Sequence, residues 1–434
     1  MSAESYLVIG GCGFLGRHIV EQLLARGEAQ VSVFDIVQRH FDSNVTFYIG
    51  DLSKPEDVQN ALYKSKATVI IHTASPAHGL GRAIYEKVNV VGTRTLLEAS
   101  VEPSSTVKKV VYTSSGGVVY SGKEDITNVD ERVPYPEVLL DAYNETKVAA
   151  EKMVLEYNGK NGLLTCAIRP AGIFGPGDRQ MISGFYQVIK NKQTKWQIGY
   201  NTNLGDFTYV GNVAHAHLLA ADKLGSSYHY SQLRDPISSI DISLGSHRIP
   251  TSSARPIGPN NNPSPEDLAK ARKFDSDQVD ESDLRPVLRT KMDQFSKESS
   301  LDENDNSEEE SIPIAGQAYF ITNGEPIYFW DFARTIWKQL GHVPPYLIVL
   351  PTMLGLILAT LAEMFSKISG KEPGFTRFRV AHATQQRYFD IEKSRRLLGY
   401  HPIVSLTDGM QRWTEWYQGE LEKQKLAIED EKTK

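Results

Sequence analysis

Short apolar runs alternate with apolar-periodic stretches along the first half of the chain. Tyr6–Ile9 reads as a buried strand, followed by the glycine-rich turn Gly10-Gly11-Cys12-Gly13-Phe14-Leu15-Gly16 and a helical pattern over 18–24. Further strands are predicted at 30–34, 45–49, 68–72, 107–113 and 163–168, with helical spacing between them. Strands alternating with helices at this interval form right-handed βαβ units, so the pattern predicts an α/β fold built on a doubly wound parallel sheet.

The pattern changes at residue 226. From 226 to 312 Ser, Pro, Asn and charged residues dominate without sustained periodicity, and structureless loops inside a compact domain rarely exceed about 15 residues, so a disordered insertion is expected. Glu298, Asp302, Glu303, Asp305, Glu308, Glu309 and Glu310 form an acidic tract free of Lys and Arg. It reads as a solvated linker, with a regulatory or partner-binding tail as the alternative. Periodicity returns with a strand at 316–321 and a helix at 328–340. A charge-free run over 346–362 follows, interrupted by Pro351 and Gly355; it lies at the short end of the ~17–25 residues that span a bilayer, and spanning, interfacial and buried placements all remain open. The expected division is therefore a cofactor domain at 1–200 receiving later elements, a discontinuous substrate lobe at 201–225 and 313–420, the insertion at 226–312, the apolar segment at 346–362 and a charged tail at 421–434.

The 434 residues carry a net charge of −6, and the acidic tract alone accounts for it; no basic footprint for nucleic acid is present. Two cysteines, Cys12 and Cys166, cannot make a disulfide framework and suit a reducing compartment. No basic region followed by an apolar stretch opens the chain, so no cleaved leader is expected. His72, His215 and His217 lack supporting ligand spacing and read as core or helix-surface residues, so no metal is expected.

The chemistry-bearing residues occur in one order. Gly10, Gly13 and Gly16 follow a strand and open a helix, which suits a pyrophosphate against the helix N-terminus. Asp35 ends the second strand, where a carboxylate accepts from ribose hydroxyls and repels a 2′-phosphate; this favours NAD, while nearby Arg39 leaves NADP use open. Asp51 and Leu52 are placed to flank the adenine, with helix capping as the alternative for Asp51. Tyr143 and Lys147 share a helix face at i and i+4, where an ammonium would draw the phenol's pKa down towards a working base. Ser114 and Ser115 close a parallel strand at its carboxyl end, where such sheets bind ligands.

Together with His72-Thr73-Ala74-Ser75, Asn89 in Val88-Asn89-Val90, and Arg169-Pro170-Ala171-Gly172-Ile173-Phe174-Gly175, this ordered set resembles the extended short-chain dehydrogenase/reductase family. The segments 206–218 and 316–324 are similar to its 3β-hydroxysteroid dehydrogenase branch, and within it to members acting on 4α-carboxysterols. The resemblance covers about 5–225 and 313–418. It implies a Rossmann-type sheet with a smaller discontinuous C-terminal substrate lobe. It also implies an NAD(P)-dependent oxidation of the 3β-hydroxyl with loss of the C4 carboxylate as carbon dioxide, in sterol biosynthesis. Tyr143 would be the general base, Lys147 would tune it and hold the nicotinamide ribose, and Ser115, with Ser114 as the alternative, would orient the hydroxyl. Phe14 and Leu15 would join the glycines in holding the cofactor; Ala74 and Pro170 to Ile173 would line its nicotinamide half; and Asn89 would support the active-site helix. The resemblance further implies a sterol substrate, endoplasmic reticulum membrane association with the catalytic body facing the cytosol, and room for other sterol C4-demethylation enzymes as partners; the oligomeric state is open, with a homodimer through two helices as the common arrangement of this fold. A nucleotide-sugar epimerase or dehydratase shares the Tyr/Lys chemistry and stands as the second reading, and a non-catalytic dinucleotide-binding scaffold as the third.

Overall fold

The structure, a computed structural model, describes residues 4–40, 42–229, 311–369 and 375–433. Seven parallel strands form the main sheet: β1 (Tyr6–Ile9), β2 (Val31–Asp35), β3 (Val45–Ile49), β4 (Val69–His72), β5 (Lys109–Thr113), β7 (Leu164–Pro170) and β14 (Ala318–Ile321), in the order β14-β7-β5-β4-β1-β2-β3. Strand order reverses between β1 and β4, which opens a crevice at the carboxyl ends of the strands.

Alternate residues of each strand serve opposite faces. Leu7, Ile9, Ile70, Val110 and Ala167 pack towards α2 (Pro55–Ser65), α4 (Thr93–Ser100) and α5 (Ala142–Glu156). Val8, Ile71, Val111, Cys166 and Ile168 pack on the other side, where α1 (Phe14–Ala25) lies against α7 (Val210–Lys223). Both faces are covered, which is why these strands read as continuous apolar runs rather than alternating ones.

A second sheet has the order β15-β10-β17-β6, from β6 (Ile126–Val129), β10 (Leu204–Gly205), β15 (Ile327–Tyr328) and β17 (Arg387–Phe389). Smaller pairs join β8 (Gly172–Phe174) to β11 (Phe207–Tyr209), and β9 (Trp196–Ile198) to β16 (Ile348–Leu350). The chain thus weaves between lobes: α7, inside the segment expected to belong to the substrate lobe, packs under the main sheet, and β14 completes that sheet's edge.

Residues 230–310 of the expected insertion lie outside the described residues. Its margins are ordered, because β12 (Ser227–His229) pairs antiparallel with β13 (Ser311–Pro313). The apolar run is divided by Pro351 into β16 and α9 (Thr352–Ser369), and among the described residues no helix is long and apolar enough to cross a membrane. The tail expected at 421–434 continues α12 (Leu406–Thr433), which follows α8 (Phe329–Gln339), α10 (Arg377–Thr384) and α11 (Glu392–Leu397) in the C-terminal part.

Candidate active site

The turn after β1 is shaped by the absence of side chains. Gly10 sits at φ +79° against Ala74, and a Cβ at Gly16 would stand 2.2 Å from the Gly10 carbonyl oxygen, so only glycine lets α1 start this close to the strand. Gly13 occupies the N-cap position, no side chain caps α1, and its first turn holds no acid. The first N–H groups and the positive end of the helix dipole are therefore directed to whatever anion enters the crevice. Phe14 packs edge-on against His18, whose Nε2 lies 2.8 Å from the Pro176 carbonyl oxygen, and Leu15 is buried in the core.

Asp35 stands at the end of β2 with one carboxylate oxygen accepting from the Cys12 N–H at 3.0 Å and the other from Ile36 N–H at 2.8 Å. This ties the carboxylate to the glycine turn while leaving lone pairs for further donors. Arg39 is exposed four residues on. Asp51 accepts from the Ser53 N–H and hydroxyl and from Lys87 at 2.7 Å, and these bonds, Lys87 first, hold its carboxyl at about 2. Its local role is an Asx turn leading into α2, whose own N-cap is Lys54. Leu52 is buried close to Gly92, where a Cβ would meet it at 2.9 Å. Pro170 ends β7 beside the loop carrying Ser115, for a Cβ at Gly116 would stand 3.3 Å from the Pro170 carbonyl oxygen, and Ile173 lies in β8.

Asn89 lies in a π-helical turn (Glu86–Gly92) ahead of α4. It donates to the Thr146 hydroxyl on α5 at 3.0 Å, and its buried Oδ1 has no partner. A buried amide oxygen left this way suits a bridging water.

Asp141 caps α5 by accepting from the Asn144 N–H at 2.9 Å, and this fixes the helix phase that carries Tyr143 and Lys147. The Tyr143 phenol has the Ser115 and Ser75 hydroxyls within hydrogen-bonding reach, and burial, opposed by those two bonds, pushes its pKa up to about 12. Ser115 also accepts from the Gly117 N–H at 3.0 Å, whereas Ser114 is buried on the side of Glu151 and does not face the phenol. Lys147 is buried; it donates to the Thr113 carbonyl at 2.8 Å and lies 3.2 Å from the Tyr112 hydroxyl. Burial depresses its pKa to about 7. Burial is thus the largest influence on the phenol in the protein by itself, and the Lys147 ammonium is turned towards Thr113 and Tyr112.

Behind the site, Arg169 and Glu151 form a fully buried pair, with Nη2 to Oε1 at 2.5 Å and Nε to Oε2 at 3.0 Å, and Tyr135 donates to the same carboxylate. The pair clamps α5 to β7. His72 and His217 are core residues, bonded to the Thr93 and Thr113 hydroxyls. Sequence reasoning missed Ser75 and His78. The His78 ring centroid is 4.0 Å from that of Tyr143, and only the path of the loop after β4 brings it there.

The family model described as 3-beta hydroxysteroid dehydrogenase/isomerase matches residues 7–236 and 300–352. The chain belongs to this family. It is 41% identical over 421 residues to the sterol-4-alpha-carboxylate 3-dehydrogenase, decarboxylating, of Schizosaccharomyces pombe, covering 96% of this chain and 98% of that protein. The enzyme of the same description from Saccharomyces cerevisiae is 38% identical (95% and 97% covered), and the human one 32% identical (94% and 87%). Among solved structures, the NAD complex of Thermus thermophilus UDP-glucose 4-epimerase aligns with a TM-score of 0.58 at 18% identity, covering 96% of this chain and 99% of that one. The NAD complex of Bacillus anthracis dTDP-glucose 4,6-dehydratase aligns at 0.59 and 15% identity, covering 96% and 97%. These two likenesses establish the fold, a Rossmann-type sheet. For this member of the 3-beta hydroxysteroid dehydrogenase family, the side-chain-free glycine cradle, the uncapped start of α1 and Asp35 fit a dinucleotide.

Proposed function

We propose that the protein is an NAD-dependent 3β-hydroxysteroid-4α-carboxylate 3-dehydrogenase that decarboxylates its product, as sterol C4 demethylation requires. The observation that carries this reading is the convergence of Tyr143, Ser115 and Lys147 at the mouth of a glycine-built dinucleotide cradle, in a chain similar over nearly its whole length to enzymes of that description. Gly10, Gly13, Phe14, Leu15 and Gly16 would hold the pyrophosphate turn, Asp35 the adenosine ribose, Asp51 and Leu52 the adenine side, and Ala74, Pro170 and Ile173 the nicotinamide side. NAD, when bound, supplies the hydride acceptor and the positive charge of its oxidised ring.

Ser115 orients the substrate's 3-hydroxyl, and Tyr143 as the phenolate, which the charges of Lys147 and of the oxidised cofactor would favour, removes its proton as the C3 hydrogen leaves with its electron pair. Lys147, held by Thr113 and Tyr112, would meet the nicotinamide ribose, and Asn89, bonded to Thr146 on the same helix, keeps a buried carbonyl oxygen for a bridging water. The 3-ketone so formed is a β-keto acid. When the C4–carboxylate bond breaks, carbon dioxide departs and the electron pair passes to the C3 oxygen as an enolate; Tyr143 returns the proton to that oxygen, and the enol becomes the ketone as C4 gains a proton and the oxygen gives its own back. In this scheme neither a metal nor a further base is needed.

The substrate is a membrane lipid, and α9 is built to meet a bilayer. Its inward face carries the small residues Gly355 and Ala359, while Met353, Leu354, Ile357, Leu358, Leu361, Met364 and Phe365 are exposed, the reverse of a helix that packs in water. Exposed Trp196, Tyr200 and Tyr346 border this face, with Lys195 over the Tyr346 ring, the aromatic and cationic fringe of an interfacial element. The helix lies on the endoplasmic reticulum bilayer with the catalytic body in the cytosol, where two free, buried cysteines stay reduced.

The decisive experiment supplies a 4α-carboxysterol and NAD and follows NADH and carbon dioxide together. Tyr143→Phe should lower turnover at least about 100-fold while NAD binding persists; retained turnover in that variant would defeat the mechanism.

A further inference from the structure

Resting on the sterol-acid reading, a second requirement follows: one end of an otherwise apolar substrate carries a carboxylate, which needs a cation inside the cleft. The cations nearest the site are mostly committed. Lys147 is turned to Thr113 and Tyr112, Arg169 is neutralised by Glu151, and Arg82 pairs with Glu145 at 2.5 Å. Arg387 differs: among the described residues it forms no salt bridge, and Asp206, which attracts it from beyond ion-pair distance, gives one carboxylate oxygen to the Phe389 N–H at 2.9 Å and keeps the other without a partner.

Arg387 also faces the correct wall. Phe389 follows it two residues on in β17, and the Phe389 ring stands at Gly116, where a Cβ would meet it at 3.1 Å; Gly116 follows Ser115. The guanidinium lies 5.5 Å from the centre of the Tyr120 ring, at the end of the same loop. Its two terminal nitrogens are 2.8 and 3.1 Å from the nitrogens of His382 on α10. A neutral imidazole has one acceptor nitrogen, so His382 can satisfy at most one of the five guanidinium donors and leaves the others available. Arg387 and His382 are enclosed by protein yet keep accessible surface, as side chains lining a cleft do. His78, whose ring rests on Tyr143, lies near enough to His382 to add slightly to the effect of burial in disfavouring its protonation.

We infer that Arg387, aligned by His382, is the cation that receives the C4 carboxylate of the substrate, and that it selects the acid over neutral 3β-hydroxysterols. A guanidinium can take both carboxylate oxygens in its planar fork, which would fix the C3–C4 edge of the sterol against Tyr143. His382 is a positioning residue in this arrangement.

The test compares two substrates, a 4α-carboxysterol and the matching 3β-hydroxysterol without the carboxyl group, by NADH formation in the full-length protein. Arg387→Gln should raise KM for the acid about 10- to 100-fold and leave the neutral sterol within about twofold; Arg387→Lys should recover part of the loss. Equal loss on both substrates would make Arg387 structural and overturn the assignment. A second arm needs no variant: the methyl ester of the acid should show a KM at least about 10-fold above the acid in the wild-type protein, and parity would overturn the assignment even if Arg387→Gln fails to fold. If wild-type protein oxidises the neutral sterol but not the acid, the sterol-acid reading falls and this assignment falls with it.

Discussion

Tyr143 is held as a phenol near 12 by burial, and the residues around it decide what lowers that value during turnover. The same desolvation acts on the core histidines. His217 is fully buried between the Thr113 hydroxyl and the Val213 carbonyl, and burial depresses its pKa to about 4 from an ordinary 6.5. Below 6.5 the unfolded chain takes the proton first, so this group's contribution is present above pH 6.5 and is lost as pH falls towards 4. Relative to His217→Gln, the wild-type protein should therefore lose up to about 3 kcal/mol across that interval. Urea unfolding of both proteins at pH 7 and pH 4.5 would measure it, and parallel pH slopes would exclude the effect.

Elements position these residues through a few close approaches. The start of α1 depends on Gly16, where a methyl group would meet three backbone atoms, the Gly10 oxygen at 2.2 Å, the Gly11 Cα at 2.7 Å and the Gly10 carbonyl carbon at 2.9 Å. None can move aside without opening the turn. Gly16→Ala should weaken NAD binding at least about 10-fold, since the helix N-terminus would be displaced from the anion, and should lower the melting temperature. Gly184 in α6 (Met181–Lys190) has nothing within 4 Å of its Cβ position, so Gly184→Ala should leave NAD binding unchanged and stabilise by up to about 1 kcal/mol. Titration of NAD fluorescence quenching with both variants separates local crowding from a general intolerance of alanine.

For the whole molecule, two surfaces matter. The apolar face of α9 should bring the protein down with phosphatidylcholine/phosphatidylinositol vesicles, and replacing Leu354, Ile357, Leu358 and Leu361 together by Gln should weaken that partitioning at least about 100-fold. These side chains already face solvent, so turnover of detergent-dispersed substrate should persist; unchanged sedimentation would argue against bilayer docking. On another part of the surface, His229 and Ser311 face each other in register at the open end of the β12–β13 pair. Residues 230–310 should accordingly be replaceable by a two-residue Asn-Gly turn without loss of sterol-dependent NADH formation. Abolished turnover in a folded protein would give the acidic tract a catalytic part.

The alternation of apolar strands and periodic helices, the glycine spacing and the Tyr/Lys interval were legible along the chain because they are local: each depends on the pleat, the helix repeat or a turn within a few residues. Long-range choices were not. That α7 and β14 belong with the main sheet, that Pro351 splits the apolar run and turns its large residues outward, and that Lys147 is drawn to Thr113 were decided by packing between segments far apart in sequence. The same holds for His78, His382 and Arg387. Their spacing carries no periodic signal, and only the folding of the C-terminal segment and the loop after β4 brings His78 onto Tyr143 and Arg387 to His382 and Tyr120.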